Sequence, residues 1–242
     1  MSTLPGASQP ANGLRTALNI VVAPDAAFAA LRERSTWVWA FVITLVASAV
    51  AGIVMVPAIV HAFTVWYPGE LAHDPRAAAM TSEQQAQALN VALGFARLGW
   101  IGTSFSGIIA ALVSAVVLLV ASAIGRGSVN FGRSFGLAMN VAIVNFAIAQ
   151  LGVAAIVAAR GPDAFSAPIE LNFVIPSLAW LAPSAAPKVA AFLAAFNPFS
   201  LWSLWLIGAG NVAIARTHPA VAYSAALLLT LCTAAILSSG AR

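Results

Sequence analysis

Apolar residues in this chain come in long unbroken runs, with the polar residues gathered between them. The runs cover about 38–60, 98–124, 134–159, 199–215 and 220–237. Uncharged apolar runs of roughly 18 residues or more read as membrane-spanning helices. The pattern therefore predicts an all-α integral membrane protein: a five-transmembrane helix bundle with a short interfacial helix before the first span. The run 199–215 is short for a span, and the helix-like piece 187–196 with Pro198 at the joint is expected to extend it.

The flanks fit that reading. Trp37 and Trp39 precede the first run, and Trp66 and Tyr67 follow it, as aromatic belts at two headgroup layers do. Residues 1–13 (MSTLPGASQPANG) have no period and read as a disordered tail ahead of one membrane domain over 14–240. Pro57 is a candidate kink in the first span. Ser82 with Gln85 three residues on has the capping-box spacing and predicts a helix starting near Glu83. Residues 173–182 and 187–196 are apolar but too short to span, so they are expected to be interfacial or re-entrant.

Three groups of residues stand out as candidate working parts. Pro24, Phe28, Leu31, Arg32 and Arg34 belong to an amphipathic stretch just before the Trp pair. Its wheel places Phe28 and Leu31 on one side, expected to enter the acyl boundary, while Arg32 and Arg34 reach lipid phosphates. Gly102, Ser106 and Ala110 recur every four residues, a small-residue stripe expected to be a helix-packing face. Asn140, Asn145 and Gln150 are the polar intramembrane residues of the third run. At 100° per residue they do not share one face, which predicts separate interhelical hydrogen bonds rather than a pore lining.

Composition narrows the function classes. Only 7% of residues are charged and 61% are hydrophobic, against about 25% charged in a soluble domain. The net charge of +4 is not gathered into a basic stripe with interleaved aromatics, so no nucleic-acid partner is expected. Membrane lipids are the expected partners, with a protein partner or a second copy of the chain left unidentified. No His, Asp, Glu and Cys set has metal-ligand spacing, and no cofactor is expected. Ser104 in GTSFSG has no glycine where Phe105 stands, and His61, His73 and His218 are scattered, so no catalytic residue is assigned. GRGSVNFGRSFG (125–136) is Gly-rich but lacks the lysine of a phosphate loop. Cys232 lies within an apolar run and reads as a small hydrophobe.

Several of these stretches together resemble one family. Pro24, Ala27 and Phe28 just before the first of five spans, the loop GRGSVNFGRSFG, and Asn197, Phe199, Leu201 and Trp202 in NPFSLW are similar in order and layout to the Yip1 family in its bacterial branch. The resemblance implies a bundle with its N-terminus inside and its C-terminus outside, in a bacterial inner membrane. The Asp-Leu-Tyr-Gly-Pro motif of eukaryotic members is absent, so binding of small GTPases does not carry over. Charge agrees with the orientation: segments on the N-terminal side hold six basic and two acidic residues, those opposite five of each. The expected function is a non-enzymatic membrane organiser or adaptor. The alternative is a small-solute transporter or channel component.

Overall fold

The computed structural model describes residues 12–73 and 80–240, which form helices joined by loops, without strands. The chain opens with α1 (Gly13–Val22) and α2 (Pro24–Glu33), then α3 (Val38–His73), α4 (Ser82–Ile124) and α5 (Phe131–Ile143). A five-residue π-turn, Val144–Ile148, joins α5 to α6 (Ala149–Arg160). Short 3₁₀ turns at Pro162–Ala164, Pro168–Phe173 and Leu178–Leu181 lead to α7 (Pro187–Ala194), α8 (Pro198–Ala215) and α9 (Pro219–Ser239). Five helical segments are long and apolar enough to cross a membrane: α3, α4, the continuous α5–π–α6 rod, α8 and α9. The molecule is a multi-pass membrane protein. The tail expected over 1–13 falls outside the described residues up to position 11. Asn12 instead caps α1, accepting from the Leu14 N–H at 3.0 Å.

Local chemistry sets the ends of these helices. Pro24, Pro187, Pro198 and Pro219 each sit in a first turn, where the missing N–H costs nothing. Asn130 accepts from the Arg133 N–H and starts α5. Asn197 starts α8, accepting from Phe199 and Ser200 N–H while its own N–H donates to Ser200 Oγ. The capping box of α4 is one residue earlier than the Ser82–Gln85 spacing suggested. Thr81 is the cap, and Gln84 returns its side chain to the Thr81 N–H at 2.9 Å. α3 and α4, roughly 54 and 65 Å long at 1.5 Å per residue, exceed a bilayer core of about 30 Å. Their ends therefore project beyond it as a helical hairpin. α3 passes through Pro57 and Pro68 without ending.

The main core gathers α1, α2, α3, α5 and α8 around Ile20, Phe28, Leu31, Leu137, Met139 and Leu206. This corrects the reading of α2. It is a helix, but Phe28 is 3% exposed and Leu31 fully buried, so neither enters the acyl boundary. Glycines make their seats: a Cβ on Gly210 would lie 2.9 Å from Phe28 Cε1, and one on Gly136 3.5 Å from Leu31 Cδ2. Ser35 Oγ, just after α2, donates to the Gly132 carbonyl and ties this end down. Arg32 and Arg34 stay exposed on the far side. An amphipathic wheel shows that a face needs covering; the two glycines decide that protein covers it.

The small-residue stripe is also corrected. Gly102 is exposed, and a Cβ there would meet nothing within 4 Å. Ser106 is half-buried and donates to the Thr103 carbonyl of its own helix. The face of α4 that packs runs through Ser104, Gly107, Ala111, Ala115 and Leu118. Gly107 is its closest point, where an added Cβ would come within 2.9 Å of both Phe146 and Thr44.

Candidate functional site

The π-turn at Val144–Ile148 is the unusual backbone feature of the bundle. The Ala149 N–H reaches the Val144 carbonyl, five residues back, and Ser48 Oγ on α3 donates to the Phe146 carbonyl inside the turn. Such turns are rare and recur at functional sites. Their effect here is on side-chain direction. Five residues of α-helix would put Asn145 and Gln150 about 140° apart. The wider turn takes up one extra residue, and both side chains face the same space. The expectation that these amides share no face fails for this pair, because it assumed an unbroken α-helix.

That space is a half-enclosed chamber of about 450 Å³ among α3, α4, the α5–π–α6 rod, α8 and α9. Met55, Ala110, Phe146, Val153, Leu204 and Leu229 supply much of its apolar wall. At one end Leu171 and Asn172 from a 3₁₀ turn, Ile175 just after it, and Ala194 and Ala195 at the end of α7 form a roof. The roof is held by the Leu178 N–H donating to the Phe196 carbonyl, and by Trp180 Nε1 donating to the Phe173 carbonyl. The apolar pieces of 173–196 thus fold back onto the bundle and lie across the chamber.

The polar lining is uncharged: among the described residues no Lys, Arg, Asp, Glu or His borders the chamber. Thr230 and Thr233 donate to the Ala226 and Leu229 carbonyls of their own helix, which leaves their oxygen lone pairs as acceptors. Ser203 Oγ and Gln150 Oε1 are buried without a hydrogen-bond partner among the described residues. Asn145, half-buried, also lines the chamber. Unpaired buried polar groups cost about 1–3 kcal/mol each, and two of them, Ser203 Oγ and Gln150 Oε1, border this one space beside the Asn145 amide.

Asn140, the third amide, lies elsewhere. It is fully buried, and its Nδ2 donates to the Thr36 and Gly136 carbonyls, each at 2.7 Å. It fastens the linker between α2 and α3 to α5. Ser104 Oγ donates to the Trp100 carbonyl one turn back and meets no base. The histidines stay apart: His61 lies 3.4 Å from Asp163, His73 contacts the Gly69 carbonyl, and His218 precedes α9 at the other end. Among the described residues no three His, Cys, Asp or Glu side chains come together. Sequence reasoning missed Ser203, Thr230 and Thr233. Their serine or threonine identity was visible, but their common target depends on how α8 and α9 meet the rod.

The chain matches no protein-family model, no curated protein and no solved structure.

Proposed function

We propose that this chain is a non-enzymatic membrane protein that holds an uncharged amphiphilic solute in its chamber, as a small-solute carrier or channel component does. The observation that carries the reading is the set of unpartnered, uncharged hydrogen-bonding groups on an apolar wall within the spans. A charged ligand would lose its hydration there with no counter-charge to meet it. A ligand with hydroxyl, carbonyl or amide groups would instead satisfy donors and acceptors already in place. The volume lies within the 300–1,000 Å³ range of small-molecule sites.

The test is photolabelling in vesicles with a monoacylglycerol bearing a diazirine in its acyl chain. Label should map to α6, α8 and α9 residues of the chamber and be competed by unlabelled monoacylglycerol, but not by the fatty-acid anion. Gln150→Leu should cut labelling at least tenfold. Ser203→Ala should weaken labelling yet raise the stability of the ligand-free protein by about 1 kcal/mol, because an orphaned hydroxyl is removed. Label confined to lipid-facing positions would end this reading.

A second reading, a Yip1-like organiser or adaptor, rests on the order of Pro24, Phe28, Asn197 and Trp202 along the sequence. Under either reading we place the protein in a bacterial inner membrane with its N-terminus inside, as the distribution of basic residues favours. Reporter fusions at residues 1 and 242 should report opposite sides; signals from one side would refute the orientation.

A further inference from the structure

Away from the chamber, at the other end of the bundle, two loops meet. One joins α4 to α5 through Gly125, Arg126 and Gly127; the other joins α8 to α9 through Arg216, Thr217 and His218. The Ser128 N–H donates to the Ala215 carbonyl at 2.8 Å, and the His218 N–H to the Gly125 carbonyl at 3.0 Å. Thr217, 1% exposed, donates to Ser122 Oγ at 3.1 Å, and Ser122 lies 3.0 Å from Asn211 Oδ1. A Cβ on Gly127 would stand 2.6 Å from the Ala215 carbonyl oxygen. The loops are locked together, and the glycines allow the approach.

Arg126 and Arg216 both have φ of 57°, and among the described residues they are the only non-glycine positions with positive φ. A helix that ends in the left-handed region ordinarily uses glycine or asparagine there. This chain does put glycine at its other positive-φ position, Gly161, after α6. Two arginines held in the strained conformation therefore point to their side chains as the reason. Both are exposed, and neither meets a carboxylate among the described residues. They border one open cleft with His218 and with the start of α9, which no side chain caps and where no acidic residue lies in the first turn. Apart from Gly125 and the buried Thr217, the rest of the cleft is apolar: Ile124, Val212, Pro219 and Val221, with Ile124 69% exposed. Positive charge at the ends of two spans, beside an exposed apolar wall, is complementary to a phosphate that carries acyl chains.

We infer that this cleft binds one anionic glycerophospholipid. Arg126 and Arg216 hold its phosphate, and its acyl chains lie along Ile124, Val212 and Val221. The site is independent of the chamber, so failure of either assignment leaves the other standing.

The experiment is native mass spectrometry of the full chain in neutral detergent, titrated with phosphatidylglycerol or with phosphatidylcholine of the same acyl chains. One phosphatidylglycerol should be retained about thirtyfold more tightly than phosphatidylcholine, as two arginines near one anionic headgroup imply. In R126G/R216G that preference should vanish, while the lipid-free melting temperature holds or rises because glycine suits the left-handed backbone. R126K/R216K, which keeps the charges, should retain part of the preference. Equal retention of the two lipids in the parent protein would overturn the inference. So would a preference that survives in R126G/R216G. If the lipid-free melting temperature of R126G/R216G falls as far as its lipid-bound one, the arginines are structural. If millimolar inorganic phosphate raises the parent melting temperature as much as phosphatidylglycerol does, the cleft takes a free anion and the lipid assignment is wrong.

Discussion

Gly107→Leu should prevent the bundle from assembling, while Gly102→Leu, five residues earlier on the same helix, should leave its thermal unfolding unchanged. An added Cβ at position 107 would already press on the Phe146 ring, its Cβ and the Thr44 methyl at 2.9 Å. The remaining leucine atoms would have to push α4 off α3 and off the π-turn, which also lose the contact of Ser48 with the Phe146 carbonyl. Overpacking a filled interior costs about 1–3 kcal/mol when neighbours can shift, and more when backbone must move. Here three elements would move at once, so we expect at least ~3 kcal/mol. At Gly102 a side chain enters open space. Detergent-solubilised melting curves of the two variants measure the difference directly. Equal destabilisation would mean that the packing face of α4 has been misassigned.

Phe28→Asp should be nearly as damaging, and Phe28→Ala should cost about 3–5 kcal/mol, the usual range for removing a fully buried aromatic side chain. Phe28 fills the slot left by Gly210 against Leu137, joining α2 to α5 and α8. Aspartate would leave the slot partly empty and bring an unpaired carboxylate into it. Arg32→Gln, on the exposed face of α2, should be within about 0.5 kcal/mol of the parent, as surface changes are. A helix lying free at the lipid boundary would tolerate Phe28→Ala nearly as well as Arg32→Gln. Melting temperature and recovery after size exclusion distinguish the two cases.

The five spans could be read from the sequence because lipid imposes a length and an apolar composition that a single chain displays openly. Helix α2 could be read too, from Pro24 and the wheel. What covers its apolar side could not, since that depends on Gly136 and Gly210, more than 100 residues away. The stripe Gly102–Ser106–Ala110 has the right spacing for a contact, but so has Ser104–Gly107–Ala111, one step round the helix. Spacing names a candidate face without saying which face a neighbour chooses. The chamber was least legible. Its amides were noticed, yet their convergence rests on a backbone irregularity that periodicity assumes away.

That irregularity has a consequence for how the lining can change. Between Val144 and Ile148 the rod carries one residue more than an α-helix needs. Rewinding this stretch as α-helix with every residue kept would turn everything beyond it by about 100°. Gln150 would leave the cavity together with Val153, and α6 would present a different row of side chains to α3 and to the roof. What lines the chamber is thus set partly by the winding of a helix rather than by any one side chain. A one-codon deletion in this stretch would instead leave Asn145 and Gln150 four residues apart in plain α-helix, about 40° from one another and still on one face.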